Sequence, residues 1–238
     1  MEQAIETLRQ WVAESDNIVF FGGAGVSTES GIPDFRSVDG LYHQTYKFPP
    51  ETILSYSFFR RDPEEFFIFY RDKLIVKDAK PNAAHLKLAE WEQAGKLKAV
   101  VTQNIDGLHQ QAGSDSVLEL HGSVHRCYCE KCRKPYPEAF INDGTGVPRC
   151  VCGGIVRPDV VLYEEGLDDR IMSESIHHIR NADILIIGGT SLNVYPAAGL
   201  INYYRGHKLV LINLSETPAD SMADLVIHGK IGEVLGQL

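Results

Sequence analysis

Short apolar runs with almost no polar alternation recur along the chain, and they constrain its fold more than any other feature. The first covers residues 18–21 and ends at Gly22 and Gly23. Such runs are typical of strands that are buried on both faces of a parallel sheet. Because segments with helical patterns separate most of them, the sequence predicts an α/β fold with a doubly wound parallel sheet. The further runs are 97–101, 117–120, 183–187, 209–212 and 225–227.

Helix signals lie between these runs. Ile5, Leu8 and Val12 follow the i, i+3, i+7 spacing of one helix face. A second helix is predicted over 81–94, because a proline stands in its first turn and Gly95 follows its end. Two more are predicted over 170–180 and 196–204.

Two stretches interrupt the alternation and predict a smaller lobe. One is rich in aromatic residues and contains a helix start, in which Asp62 can cap, Pro63 suits the first turn and Glu65 can complete a capping box. The other contains all five cysteines. The expected division is a sheet domain of 1–40, 81–122 and 157–238, a helical module over 41–80 and a metal-binding module over 123–156.

Composition excludes several classes of protein. With 44% hydrophobic and 23% charged residues, the 238-residue chain is expected to be globular rather than disordered. Its net charge of −9 repels phosphate backbones, so we expect no nucleic-acid partner. No apolar stretch approaches the roughly 18 residues that span a bilayer, and the N-terminus lacks an apolar signal core. We therefore expect a cytoplasmic protein without a membrane partner, and a monomer.

The cysteines indicate a structural metal site. Cys129 and Cys132 are separated by two residues, and Cys150 and Cys152 by one, with 17 residues between the pairs. Four soft thiolates suit tetrahedral Zn²⁺ and leave no open position for catalysis. Cys127 is surplus and could in principle replace one ligand; a set of free buried thiols is the alternative.

Glycine-rich segments follow the predicted strands. Gly23 and Gly25 follow the first strand, but Thr28 stands where a dinucleotide fingerprint has its third glycine. The segment is thus either part of a nucleotide site or a tight turn. A second pair, Gly188 and Gly189, precedes Thr190 and Ser191, and Asn213 ends another strand. Parallel sheets bind ligands at the carboxyl ends of their strands, so these positions favour nucleotide binding.

Polar residues end two further strands at the same edge. Residues 102–106 follow the second run, and His121 follows the third. Because the reference pKa of histidine, about 6.5, lies near the working pH, His121 is predicted to be a general base. The other histidines lack this placement and are interpreted as structural: His43, His85, His109, His125, His177, His178, His207 and His228.

Together these motifs resemble the sirtuins, in particular the bacterial NAD-dependent protein deacetylases. The resemblance implies a Rossmann-like sheet domain and a small lobe made of a zinc-ribbon module and a helical module. NAD and an acyl-lysine peptide would enter the cleft between them from opposite sides. The similar segments are 23–27, 31–36, 103–106, 121–122, 189–192, Asn213 and the cysteine pairs.

The resemblance also implies roles for individual residues. His121 and Asn104 would be catalytic, with His121 activating a ribose hydroxyl, and the products would be free lysine, nicotinamide and O-acetyl-ADP-ribose. The phosphates and nicotinamide ribose would contact Ala24, Gly25, Thr28 and Arg36, with Phe35 shielding the reactive carbon. The rest of the cofactor would contact Gln103, Asn104, Ile105, Asp106, His121, Thr190, Ser191, Asn213 and Ile231. Zinc would bind Cys129, Cys132, Cys150 and Cys152.

Substrate contacts are a further expectation from the resemblance. The peptide is expected to pair with Val160, Val161, Leu162 and Tyr163. Many sirtuins have Phe-Gly-Glu where this chain has Tyr163, Glu164 and Glu165. Tyr70 and Lys73, at i and i+3 on one helix face, correspond to a Tyr-x-x-Arg pair that takes acidic acyl groups. We expect deacetylation, with weak desuccinylation as an alternative because lysine lacks arginine's bidentate fork.

Three other functions are compatible with parts of the pattern. Mono-ADP-ribosyl transfer to protein would use the same activation of NAD. A hydride-transferring dehydrogenase would use a similar sheet, but the full glycine fingerprint is missing and the zinc site has no open position. A non-catalytic zinc adapter would leave His121 without a role.

Overall fold

The computed structural model describes residues 1–34, 40 and 47–238. In chain order, the strands of this part are β1 (Ile18–Gly22), β2 (Leu97–Thr102), β3 (Val117–Glu119), β4 (Gly122–Cys129), β5 (Pro135–Tyr136), β6 (Val156–Val160), β7 (Ile184–Gly188), β8 (Leu209–Asn213) and β9 (Leu225–His228).

The helices of the same part are α1 (Glu2–Glu14), α2 (Pro50–Ile53), α3 (Tyr56–Arg61), α4 (Pro63–Phe69), α5 (Ala83–Gln93), α6 (Leu108–Gln111), α7 (Ala139–Asn142), α8 (Asp169–Asn181) and α9 (Ile231–Leu235). Short 3-10 segments cover Ala24–Val26, Thr28–Ser30, Ala197–Tyr203 and Asp220–Met222, and one π turn covers Tyr70–Leu74.

A six-stranded sheet in the order β3-β2-β1-β7-β8-β9 forms the large domain, and every neighbouring pair is parallel. This confirms the predicted doubly wound, Rossmann-like sheet. The chain order reverses between β1 and β7. In such sheets a crevice opens at the carboxyl ends of the two strands where the order reverses.

Helices cover both faces of this sheet, as the apolar runs require. Adjacent residues of a strand point to opposite faces. Phe20 therefore packs in one core with Leu8 of α1 and Leu88 of α5, whereas Phe21 packs in a second core with Ile179 of α8. All five of the residues in β1 are buried.

Two of the predicted helices differ from their expected form. Helix α5 begins at Ala83 rather than at residue 81, because the Asn82 side chain accepts from Ala84 N while His85 Nδ1 accepts from Asn82 N. The segment predicted over 196–204 is a 3-10 segment, Ala197–Tyr203, rather than an α-helix.

The small lobe contains a three-stranded antiparallel sheet in the order β5-β4-β6. Strand β6 closes this sheet, so the lobe extends beyond the expected range 123–156. Within the helical module, α4 begins as predicted directly after Asp62, whose Oδ1 accepts from Glu65 N. Aromatic residues of this module, including Phe59 and Phe66, share one core with Cys129 and Val156 of the metal-binding module.

Among the described residues, no helix has both the length and the apolar character needed to cross a bilayer.

Candidate active site

A cavity of about 1020 Å³ lies between the carboxyl edge of the large sheet and the small lobe. It brings together nearly all the residues that the sequence predicts for the cofactor and the peptide. The predicted residues that line it are Ala24, Gly25, Thr28, Lys73, Gln103, Asn104, Ile105, Asp106, His121, Val160, Val161, Leu162, Tyr163, Thr190, Ser191, Asn213 and Ile231. Phe35 and Arg36 lie outside the described residues.

The two glycine-rich loops at this edge contact each other. Gly25 N donates to Gly189 O over 2.8 Å. A Cβ on Gly25 would lie 2.8 Å from Gly189 Cα, and Gly189 itself has a φ of 58°. The glycines are therefore needed for packing of the β1 and β7 loops against each other, in addition to any approach to a phosphate.

A buried hydrogen-bond network joins the β1 loop to the loop that follows β2. Ser27 Oγ donates to Asp106 Oδ2 over 2.6 Å, and Asn104 Nδ2 donates to Ser27 Oγ over 3.0 Å. The second carboxylate oxygen of Asp106 accepts from Leu108 N. Ser27 and Asn104 are 1% and 8% exposed, so water competes little for these bonds. Sequence reasoning identified Asn104 and Asp106 but missed Ser27.

His121 connects the two sides of the cavity. Its Nδ1 lies 2.9 Å from Gln103 O, and because a carbonyl only accepts, Nδ1 carries the proton and Nε2 is the basic nitrogen. Its own carbonyl accepts from Val161 N over 3.0 Å. Burial lowers the pKa of His121 from its ordinary value, and the hydrogen bond to Gln103 opposes this shift. His121 is therefore neutral near pH 7, as a general base must be.

His125, which sequence reasoning treated as structural, also lines the cavity. Its Nε2 lies 2.9 Å from Asp106 O, and its Nδ1 contacts the carboxylate of Glu138. Burial opposes the charged form, but the bonds to the Asp106 carbonyl and to Glu138 raise the pKa of His125. The sequence signal that could have predicted this location is its position on β4, four residues after His121.

The segment after β6 that is expected to pair with a peptide is held by two glutamates. Glu165 forms a bidentate ion pair with the buried Arg157, and both N–O distances are 2.7 Å. The Glu165 carboxylate also accepts a hydrogen bond from Leu162 N. Glu164 accepts from Ser57 in α3. These carboxylates are engaged within the protein.

The predicted acyl-recognition pair is not placed together at the cavity. Lys73 lines it, and its Nζ lies 2.9 Å from Asp72. Tyr70 is fully buried in the core of the small lobe and is not among the lining residues. Burial raises the pKa of the Tyr70 hydroxyl far above its ordinary value.

The four predicted zinc ligands form one cluster in the small lobe. The ligand atoms of Cys129, Cys132, Cys150 and Cys152 all lie within 4.8 Å of one another. Two of the Sγ–Sγ distances are 3.5 and 3.6 Å. A tetrahedron with Zn–S bonds of about 2.3 Å separates its sulfurs by about 3.8 Å, so the cluster fits Zn²⁺.

The fifth cysteine does not belong to this cluster. Cys127 is 4% exposed, packs in the small-lobe core and lies near Val124 O. Burial raises the pKa of its thiol to about 11, so it is protonated at neutral pH. The unusually short spacing of the second pair is accommodated by a turn in which Gly153, with a φ of 80°, donates to Cys150 O.

Comparisons with known proteins agree with this arrangement. The model of the Sir2 family matches residues 23–196. An NAD-dependent protein deacetylase of Clostridium perfringens (strain 13 / Type A) is 62% identical over 242 residues, which cover 100% of this chain and 99% of that protein.

Solved Sir2 structures are similar over almost their whole length. A variant in complex with a deacetylated p53 peptide and 3′-O-acetyl ADP ribose has a TM-score of 0.90 at 40% identity, covering 97% of this chain and 95% of the other. A complex with a p53 peptide and NAD+ has a TM-score of 0.87 at 40% identity, covering 98% and 96%. The chain therefore belongs to the Sir2 family, the sirtuins.

Proposed function

We propose that this protein is an NAD-dependent protein-lysine deacetylase. The observation that carries this proposal is the placement of His121 between two sets of cavity residues. Its ring bonds to Gln103, on the side with the glycine loops, and its carbonyl bonds to Val161, in the segment proposed for the peptide. One base can thus serve a reaction between a nucleotide and a peptide.

The residues at the sheet edge fit NAD. The crevice between β1 and β7 is where dinucleotides bind in sheets of this kind. The Ser27–Asp106–Asn104 network holds a carboxylate and an amide in the lining of the cavity, and these groups suit recognition of a carboxamide and a ribose. The proposed contacts at the other end are Thr190, Ser191, Asn213 and Ile231, which all line the cavity.

The chain's own residues then account for the chemistry. When bound, NAD would supply the ADP-ribose that receives the acetyl group; nicotinamide would leave the ribose, the lysine amine would leave the acyl carbon, and one water would be consumed. We assign the proton transfer to His121, whose Nε2 takes a proton from a ribose hydroxyl and makes that oxygen a nucleophile toward the acyl carbon. Asn104, with its amide fixed by Ser27 and its backbone N–H bonded to Thr102 Oγ1, orients the ribose.

The placement of Tyr70 and Lys73 favours acetyl over succinyl groups. If positions 70 and 73 acted like the Tyr-x-x-Arg pair that they resemble, both side chains would have to reach the cavity. Lys73 reaches it but pairs with Asp72, which offsets its charge, and Tyr70 is buried away from the lining. We therefore propose that desuccinylation is slower than deacetylation.

The test is mass spectrometry of an acetyl-lysine peptide and its succinyl twin, each incubated with and without NAD. We expect NAD-dependent loss of acetyl, with an equal amount of nicotinamide released and less loss of succinyl. His121→Ala is the control and should leave both peptides intact. Nicotinamide release without acyl loss, together with label from NAD on protein, would replace the proposal by mono-ADP-ribosyl transfer.

We further propose that the partners are acetylated lysines of cytoplasmic proteins, that the chain acts as a monomer and that it does not bind nucleic acid. The net charge of −9 supports the last point because it opposes approach to a phosphate backbone. Thiolate zinc ligands support a reducing compartment. Light scattering after size-exclusion chromatography should give the mass of one chain per particle. The mass of a dimer would overturn the proposal that the chain acts as a monomer.

A further inference from the structure

The backbone of Glu164 adopts a conformation that is rare for residues other than glycine. Its φ is 78°, in the left-handed region, which is unfavourable for any residue with a Cβ unless other contacts hold it. Glu164 directly follows residues 160–163, the segment proposed to pair with the peptide, and it lines the same cavity. The unfavourable energy of this backbone conformation must be offset by other contacts of Glu164.

Ser57, at the start of α3, provides that contact. Ser57 N donates to Glu164 Oε2 over 2.8 Å, and Ser57 Oγ donates to Glu164 Oε1 over 2.9 Å. Each carboxylate oxygen thus receives one hydrogen bond from the same residue. A carboxylate is held more strongly by such paired donors than a neutral acceptor would be.

The neighbouring backbone is joined to the helical module at the same place. Tyr163 N donates to Leu54 O, and Tyr56 N donates to Tyr163 O, both over 3.0 Å. Tyr163 is therefore paired on both its backbone groups with the helical module. The orientation of residues 160–163 in the cavity depends on how this module and Glu164 are held together.

We propose that Glu164 is a positioning residue. The two hydrogen bonds that its carboxylate accepts from Ser57, which we call the clasp, hold residues 160–163 in the geometry that receives the acyl-lysine peptide. This inference rests on the deacetylase function proposed above. The side chain acts through the backbone of its own segment, and the helical module thus contributes to peptide affinity without touching the reacting atoms.

Three substitutions at one position separate the clasp from other roles. Glu164→Ala keeps the strained backbone and loses both hydrogen bonds, so KM for the acetyl peptide should rise about fivefold. Glu164→Gly also loses them but removes the strain, so the rise should be smaller, about twofold. Glu164→Gln can still accept from Ser57 N and donate to Ser57 Oγ but lacks the negative charge, so its KM should rise clearly less than in Glu164→Ala.

Ser57→Ala tests the same contact from the other partner. It removes one of the two bonds and should raise the peptide KM in the same direction. Because the two residues share one interaction, the effects of Ser57→Ala and Glu164→Ala should not add in the double variant. KM for NAD and kcat at saturating peptide should stay within about twofold throughout. Glu174→Ala, which removes an exposed carboxylate of α8, is the matched control and should change nothing.

Hydrogen exchange of the amides of residues 161–165 gives a readout that does not require turnover. Exchange should accelerate in Glu164→Ala and remain slow in Glu164→Gln. Equal exchange in the two variants, or a peptide KM that rises as much in Glu164→Gln as in Glu164→Ala, would overturn the clasp. An unmodified protein that fails to deacetylate would instead overturn the proposed function, and the exchange data would still decide the clasp.

Discussion

Ser27 donates a 2.6 Å hydrogen bond to Asp106 across a sequence separation of 79 residues. This bond joins the loop after β1 to the loop after β2, and Asn104 extends it. The two loops are the parts of the site proposed for the phosphate and nicotinamide regions of NAD. Their relative position is therefore fixed by a side-chain contact as well as by the sheet.

Ser27→Ala should weaken binding of NAD. The change leaves a partly buried carboxylate oxygen of Asp106 and the buried amide of Asn104 without their partner, and such losses cost about 1–3 kcal/mol each. We expect KM for NAD to rise about tenfold or more, measured by nicotinamide release at saturating peptide. Ser30→Ala is the matched control, because Ser30 bonds to Asn82 and not to Asp106. Equal NAD affinity in the Ser27 variant would contradict this role.

His121→Ala should abolish deacetylation without unfolding the protein. A general base contributes roughly 10²–10⁴-fold to a rate, so kcat should fall by that factor. In the unmodified protein, burial lowers the pKa of His121. The acid limb of the pH–rate profile should therefore lie below pH 6.5, with activity falling as the imidazole becomes protonated. Retained turnover in the variant would show that another residue acts as the general base.

Zinc removal should unfold the small lobe. We expect one zinc per chain, measured by atomic absorption, and loss of both zinc and peptide turnover in Cys129→Ser. Cys127→Ser is the comparison, because Cys127 lies outside the four-thiol cluster and should leave the zinc content unchanged. A Cys127 variant that lost its zinc would show that the fifth thiol is a ligand.

Mild acid should destabilise the protein through a buried histidine pair. His85 and His109 have ring centroids 4.7 Å apart, and burial lowers their pKa values to about 4 and about 3. The unfolded state binds protons more readily, so the stability present above pH 6.5 is lost as the pH falls toward these values. Urea titrations of His109→Gln should show a smaller loss between pH 6.5 and 4 than the unmodified protein does; an equal loss would place the acid sensitivity elsewhere.

The contact between His125 and Glu138 should have the opposite pH dependence. Because the pKa of His125 is raised in the folded state, its contribution is complete below pH 6.5 and is lost as the pH rises through the raised value. The side chain is about half exposed, so solvent screening keeps the effect small. Comparing melting temperatures of His125→Gln and the unmodified protein should show a difference at pH 6 that shrinks by pH 8.

Much of the fold follows from local patterns that the sequence contains directly. Residues 18–21 are apolar without alternation because both faces of β1 are covered, and the resulting parallel sheet requires the loops after its strands to share one edge. The spacing of Cys129, Cys132, Cys150 and Cys152 predicted one metal site, and the four thiols form one cluster that fits Zn²⁺. His121 could be predicted as a base because it follows a strand at that edge, and the structure places it in the lining of the cavity.

The contacts that complete the site were decided only by the tertiary structure. Ser27 meets Asp106, and Ser57 meets Glu164 across 107 residues. Periodicity encodes which face of an element is buried, but it carries no information on which two polar side chains meet when elements pack. The sequence by itself determined the sheet, the group of four clustered cysteines and the edge at which the strand ends meet, whereas packing of separate loops decided which neighbours hold the residues at that edge in place.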